Sequence, residues 1–360
     1  MKSINGYLMS QDTQIARIEN NKIISIKPSL LPLYLHLNGD LIEWLESRAI
    51  DRHRVNSRLL KRLLRLTTAE DAEVAMHVNA STITDTYWVC EDSEPTLTYG
   101  DVRFSQNYFD NLALNGDPDS FNRVNNQGMT HSRTPELTNI GSFEKCWRIE
   151  NGDWWLYKNG NTFERFSEQF ICELGRLLNF NMAHCELWEK GIKSLDFTNG
   201  AKVNYEPARS LVGDDIDYVT NYNKIKKLSP HMAKEYLDIL LLDTVCFNMD
   251  RHTENYGFLR DINTGDFISM APNFDNNIAL ISRGYPSDKT RKNDLFIRDF
   301  IELFEQIGVD YYLPVLHEEM IKTALSRVSI AVDADYIKQF ISNGYTQLTN
   351  HFPVTHFNMF

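Results

Sequence analysis

Apolar residues recur at helical spacing in some stretches of this chain and alternate in others. Leu41, Trp44 and Leu45 share one side of Asp40–Arg48, which predicts a short amphipathic helix. Leu59, Leu60, Leu63 and Leu64 predict a second over Val55–Leu66. Thr67 and Glu70 have the spacing of a capping box and place a third helix from about Ala69. Thr84–Val89 has strand composition. Lys145–Glu150 and Trp154–Lys158 read as strands joined by Asn151-Gly152-Asp153, a hairpin turn. Phe170, Leu174, Leu177 and Leu178 predict a helix over Phe166–Leu178, and Met182–Trp188 reads as a strand. Pro230–Asn248 predicts a strong helix. Phe258–Arg260 and Phe267–Met270 predict a second hairpin around Asn263-Thr264-Gly265-Asp266, and Leu295–Phe352 is amphipathic and helical. The expected class is α+β, with a strand-rich piece followed by a helix-rich one.

Polar turn chemistry interrupts the pattern once at length. Asn115-Gly116-Asp117-Pro118-Asp119-Ser120 and Asn125-Asn126-Gln127-Gly128 make residues 106–139 a polar linker or regulatory segment. Residues 1–105 then form an N-terminal accessory region of mixed α/β character.

Composition narrows the function classes. In 360 residues, 37 Lys and Arg stand against 49 Asp and Glu, a net charge of −12 that speaks against direct nucleic-acid binding. Arg48–Arg65 is locally basic, and reads as the solvated face of a helix packed on an acidic remainder rather than as a phosphate-binding patch. The cysteines number five, and none falls in a C-x-x-C or zinc-like spacing, which fits a reducing compartment. Tyr236–Phe247 is the most apolar run, but Asp238 and Asp243 break it and it is too short to span a bilayer. The N-terminus lacks a signal-peptide pattern. A soluble cytoplasmic protein without membrane partners is expected.

One constellation carries chemistry: Asp250-Arg251-His252-Thr253-Glu254-Asn255, followed by Ala271-Pro272-Asn273-Phe274-Asp275. Phosphoryl transfer needs a carboxylate for the attacking hydroxyl, and a second carboxylate with an amide to hold Mg²⁺ on the phosphates. Asp250, Asp275 and Asn255 fit those three places. The Asp-to-Asn spacing matches that of kinase catalytic loops, and the intervening hairpin would fold Asp275 back beside Asn255. The motif alone is weak, because Asp51-Arg52-His53-Arg54-Val55-Asn56 repeats it without a hairpin or a second carboxylate behind it. Upstream, Gly141-Ser142-Phe143-Glu144-Lys145 could cover phosphates with backbone N–H groups. Lys158 could reach them, and Glu168, in the first turn of the next predicted helix, could pair with Lys158.

Taken in order, Gly141 to Lys145, Lys158, Ser167-Glu168, Asn248 to His252 with Asn255, and Ala271-Pro272 with Asp275 resemble the HipA-like serine/threonine kinases, over roughly Pro135 to Phe360. The resemblance implies a two-lobed protein-kinase-like fold, with a β-rich lobe over 140–209 and a helical lobe over 210–360. It implies ATP and Mg²⁺ as cofactors, Asp250 as catalytic base, and Asn255 and Asp275 as metal ligands. Gly141, Ser142, Phe143, Lys145, Lys158, Glu168, His252 and Asn255 fall on the ATP side. The family's autophosphorylated serine is here Thr138, three residues before Gly141. A protein substrate with a Ser or Thr acceptor and an antitoxin-like protein partner are implied, with a toxin or regulatory role. Two alternatives share the fold: a non-catalytic nucleotide-binding scaffold and a lipid kinase.

Overall fold

The computed structural model describes residues 3–117 and 132–355. The Asn125–Gly128 turn lies outside the described residues. The chain divides into two compact units. The first comprises 1–159, 193–206 and 258–268, and the second 160–192, 207–257 and 269–360.

The first unit opens with three strands that the apolar pattern did not single out: β1 (Gly6–Ser10), β2 (Thr13–Glu19) and β3 (Lys22–Ser25). With β4 (Tyr87–Glu91) they form an antiparallel sheet in the order β3-β2-β1-β4. Glu19 faces Lys22 across a two-residue turn in which Asn20 and Asn21 both take positive φ, a conformation asparagine tolerates. Short helices cover this sheet. Leu41–Arg48 forms as expected, with the Asp40 carboxylate accepting the Glu43 amide at its N-terminus. Ser57–Leu63 is shorter than its leucine pattern suggested. The third helix is Asp71–Met76, and its capping box sits three residues later than expected, on Glu70 and Glu73 rather than Thr67 and Glu70. Glu70 is the cap, and its amide donates to Glu73 at 3.2 Å.

Leu8, Ile15, Ile18, Trp44, Leu45, Leu60, Val74 and Trp147 meet in one core. Within the segment expected as a polar linker, Asp110–Asn115 is a helix, and its Leu112 joins the same core with Phe109. The basic stretch is mixed: Arg48 and Arg54 are buried, Lys61 is half-buried, and Arg52, Arg58, Arg62 and Arg65 are exposed. Arg48 is buried against Asp85 at 2.9 Å, and Arg52 and Lys61 both pair with Asp71.

The expected hairpin follows as β5 (Lys145–Glu150) and β6 (Asp153–Asn159), closed by Asn151 and Gly152 at positive φ. The remaining strands are β7 (Cys185–Trp188), β8 (Gly191–Leu195), β9 (Val203–Pro207), β10 (Gly257–Asp261) and β11 (Phe267–Met270). Strand β8 lies beside β6, and β10 lies between β9 and β11. The second predicted hairpin is therefore present.

Helices dominate the second unit. Thr162–Leu177 starts a turn earlier than expected, because Asn161 and Glu164 form a capping box there. Phe166, Phe170 and Leu174 are its buried stripe. Tyr218–Leu228 precedes Pro230–Cys246, which is buried on nearly every side and packs against its neighbouring helices as the central element. Leu295–Ile307, Glu318–Ser326 and Ala334–Thr349 complete the unit. Among the described residues, no helix is long and apolar enough to cross a membrane. All five cysteines are buried thiols.

Candidate active site

The end of the Pro230–Cys246 helix sets the geometry of the site. Phe247 takes a left-handed conformation (φ 55°) that stops the helix. Its ring is held edge-on by Phe296 and Phe340, at 5.0 and 5.9 Å between centroids. The chain then leaves as Asn248-Met249-Asp250, and the Met249 amide donates to the Ile278 carbonyl at 3.0 Å.

Arg251 is the hub of the next stretch. Its side chain is 2% exposed and pairs with the equally buried Asp243 of the preceding helix through Nε and Nη2, at 2.8 and 2.9 Å. The same guanidinium donates to the Asn255 carbonyl at 2.5 Å and the Phe274 carbonyl at 2.7 Å. It also donates to the side-chain oxygens of Asn273 and Asn276, at 3.0 and 2.8 Å. A planar fork with five donors is suited to such a junction. One buried cation thus binds the helix end, the Asp250–Asn255 loop and the Asn273–Asn276 segment together.

The candidate chemical groups lie on that junction. The Asp250 amide donates to the Asn248 side chain at 3.0 Å, and the Asp250 carbonyl accepts the Asn255 side-chain N–H at 2.9 Å. With its nitrogen so used, the Asn255 amide presents its oxygen as the atom suited to a hard cation. Asp275 sits at φ 61°, a strained conformation for a residue with a Cβ. Its charge is close enough to disfavour ionisation of Asp250. Burial, and secondarily Asp275, push the Asp250 carboxyl above its ordinary range, while His252, Arg251 and Arg283 pull it down. His252 is exposed, and its amide donates to the Asp250 carbonyl at 2.9 Å.

Glu168 lies in the second turn of its helix, not the first, because that helix begins at Thr162. It is buried, and its carboxylate accepts the Asn276 amide at 2.7 Å, so it braces the segment that carries Asp275.

The donor set fits Mg²⁺, which binds through one or two protein oxygens and completes its shell with phosphate and water. Among the described residues, no group of three or more His, Cys, Asp or Glu side chains is gathered as a cage for a resident metal ion.

The other expected residues belong to the first unit. Lys145 and Lys158 are directly opposite one another on β5 and β6. Two like charges so placed repel unless anionic groups face them. Gly141 has φ 111°, and a Cβ there would lie 2.1 Å from Lys145 Nζ, so the lysine side chain folds back over the glycine. Ser142 is exposed, and the Phe143 carbonyl accepts from Arg54 Nε at 3.1 Å. Just before this turn, Pro135–Thr138 is a 3-10 turn and is fully packed. The Thr138 hydroxyl is 5% exposed and donates to the Ser81 carbonyl at 2.6 Å. Glu136 is buried beneath it and accepts from the Trp147 amide, Asn107 and Asn139.

Sequence reasoning singled out the motif residues but gave no task in the site to Arg251, Asp243, Asn248, Asn273 or Asn276. The available signal was the clustering of asparagines in Ala271-Pro272-Asn273-Phe274-Asp275-Asn276-Asn277, together with a carboxylate inside the most apolar helix.

The architecture defined here is α+β and kinase-like. Among solved structures, the chain is similar to HipA of Shewanella oneidensis MR-1, solved as a toxin–antitoxin system with HipB and operator DNA. The two share 11% identity, with a TM-score of 0.57 over 96% of this chain and 97% of that one. It is also similar to the Helicobacter pylori proinflammatory kinase CtkA, with 18% identity, 56% of this chain and 90% of that one covered, and a TM-score of 0.44. No family model and no curated relative matches. The fold is that of the HipA-like kinases.

Proposed function

We propose that the chain is an ATP- and Mg²⁺-dependent serine/threonine protein kinase of HipA-like type. The observation that carries this reading is the Arg251 junction, which brings the Asp250 loop, Asn255 and the Asp275 segment into one cluster. Asp250 accepts the proton of the acceptor hydroxyl. The hydroxyl oxygen bonds to the γ-phosphorus as the bond to the β–γ bridging oxygen breaks, and ADP leaves. Asn255 and Asp275 hold Mg²⁺, which neutralises charge on the phosphates. Lys158, Lys145 and the Gly141–Phe143 turn serve the nucleotide phosphates, with Glu168 and His252 in support. Thr138 is the proposed self-modification site, and its burial means that the Pro135–Gly141 segment must open first. By analogy with the HipA–HipB complex, a cytoplasmic antitoxin-like partner and a toxin or regulatory role are proposed.

The test is intact mass before and after Mg-ATP for wild type, Asp250→Ala and Asp275→Ala, with folding checked by circular dichroism. A phosphate-sized gain in wild type alone is expected. A gain that survives Asp250→Ala removes the base assignment. No gain, on the chain itself or on added protein, favours the non-catalytic nucleotide-binding alternative.

A further inference from the structure

Arg54 is the one fully buried residue of the Asp51–Asn56 loop. The loop is tightly turned. The Arg54 amide donates to the Asp51 carbonyl at 3.2 Å, and the Arg54 carbonyl accepts the Ser57 amide at 3.0 Å. It is also tied to the Pro135–Thr138 turn, because the Ile50 amide just before it donates to the Leu137 carbonyl at 2.8 Å. From this base the Arg54 side chain runs inward with no exposed surface, and its Nε donates to the Phe143 carbonyl at 3.1 Å. Nη1 and Nη2 are buried and have no hydrogen-bond acceptor among the described residues. Glu136 stands 3.7 Å away, beyond hydrogen-bond reach, and its carboxylate already accepts three other N–H groups. Burying a cation with half of its fork unpaired costs stability. Packing alone therefore does not account for an arginine here.

The turn that Arg54 reaches has few other ties. The amides of Ile140, Gly141, Ser142 and Phe143 donate to no group among the described residues. Its flanks are fixed, since the Asn139 amide donates to the Glu136 carbonyl at 3.4 Å and the Glu144 carbonyl accepts the Asn159 amide at 3.1 Å. Between these flanks, the Arg54 Nε bond is what holds the backbone. Unused amides around a glycine at φ 111° are what a backbone cradle for an anion requires. Such a cradle binds tightly when its shape is set before the ligand arrives.

We propose that Arg54 is a positioning residue for the nucleotide, whose Nε–H fixes the Phe143 carbonyl and so sets the Gly141–Phe143 turn for the phosphates. The inference rests on the kinase reading and gives the N-terminal accessory region a part in it. That region supplies the base on which the turn rests, without touching the nucleotide.

The experiment separates the anchor from the charge and from general damage. Glutamine carries an N–H donor at the chain position of arginine Nε, whereas methionine carries a methyl group there, and both are neutral. The full chain and its Arg54→Met and Arg54→Gln variants are titrated by calorimetry with Mg-AMP-PNP, an ATP analogue that keeps its γ-phosphate, and separately with adenosine. Arg54→Met should weaken Mg-AMP-PNP binding by about tenfold or more and leave adenosine binding unchanged. Arg54→Gln should stay within about threefold of wild type for both. Arg52→Met, which removes the exposed arginine of the same loop, should change neither. If Arg54→Met does not fold, Arg54→Lys takes its place, since lysine also puts carbon at the Nε position while keeping the charge. Equal loss in the Met and Gln variants, equal loss of the two ligands, or unchanged Mg-AMP-PNP binding in Arg54→Met overturns the positioning role and leaves the kinase reading standing. Failure of wild type to bind either ligand overturns the kinase reading and the nucleotide role with it. Hydrogen exchange of the ligand-free chain then still reads the anchor: exchange over 140–144 should be faster in Arg54→Met than in Arg54→Gln, and equal exchange removes the anchor as well.

Discussion

Arg251→Met tests the architecture of the site without assuming any activity. The substitution keeps an unbranched apolar stem but removes the guanidinium, and leaves Asp243, whose side chain is 4% exposed, as a buried carboxylate that still accepts from the Asn248 side-chain amide at 2.8 Å. Breaking one half of a buried ion pair costs about 3–5 kcal/mol. The carbonyls of Asn255 and Phe274 and the side-chain oxygens of Asn273 and Asn276 also lose a charged donor. A domain of about 5–15 kcal/mol stability should therefore lose about a fifth or more of it. Removing the second charge as well, in Asp243→Leu/Arg251→Met, should restore about 1–4 kcal/mol relative to the single variant. It should not reach wild type, because the four acceptors stay without their donor. Arg251→Lys should fall between, since an ammonium keeps the charge but cannot reproduce the fork. Urea unfolding gives the stabilities, and hydrogen exchange read by mass spectrometry gives their location. Exchange should quicken over 248–255 and 273–276, while β1, β2 and β4 in the other unit keep their protection. Wild-type protection in Arg251→Met, or a double variant no more stable than the single one, would refute the reasoning.

Two other outcomes rest on local geometry. Gly141→Ala should destabilise the first unit by about 1–2 kcal/mol, because alanine is strained at φ 111° and its Cβ displaces the Lys145 ammonium. Adding Lys145→Met removes the close approach but not the strain, so a melting temperature that returns to wild type in the double variant would count against a backbone cause. Asp250 should lose its proton at a pH above that of an ordinary aspartate, since burial and Asp275 both disfavour its charged form. The base acts only when ionised, so the phosphorylation rate should fall as pH drops through that raised midpoint. His252 stabilises the ionised form, and His252→Ala should move the acid limb to higher pH. A move to lower pH would contradict the electrostatic assignment.

The elements built on local periodicity were legible before any coordinates. Leu41–Arg48, the β5–β6 hairpin, Pro230–Cys246 and the β10–β11 hairpin carry their own caps, turns or apolar stripes. The β1–β3 meander was not, because its strands are short and their apolar residues alternate only loosely. Its clearest signal was Asn20-Asn21, a two-residue turn between Thr13–Glu19 and Lys22–Ser25. The segment 109–115 read as polar because periodicity over six residues is too short to register. Only tertiary packing buries Phe109 and Leu112. In the candidate site, the residue types that could do chemistry were visible from spacing. The residues that hold them were not, since a buried arginine that joins a helix, a loop and a distant segment leaves no periodic trace.

The repeated motif shows what spacing leaves out. In the first copy Arg52 is 73% exposed and pairs with Asp71 on a neighbouring helix, so it ties nothing to its own loop. Asp51 accepts the His53 amide at 2.7 Å as an ordinary turn, and the Asn56 side chain donates to the Ala113 carbonyl, away from Asp51. In the second copy the corresponding arginine is buried and the corresponding asparagine turns back onto Asp250. The difference lies outside the motif. Eight residues before Arg251 stands Asp243, inside the preceding helix. Eight before Arg52 stands Trp44. Twenty residues beyond Asn255 stands Asp275, and twenty beyond Asn56 stands Met76. A buried guanidinium needs a buried carboxylate within reach. Asp243 therefore decides which of the two arginines can be drawn into the interior, and with it which loop is held as a site.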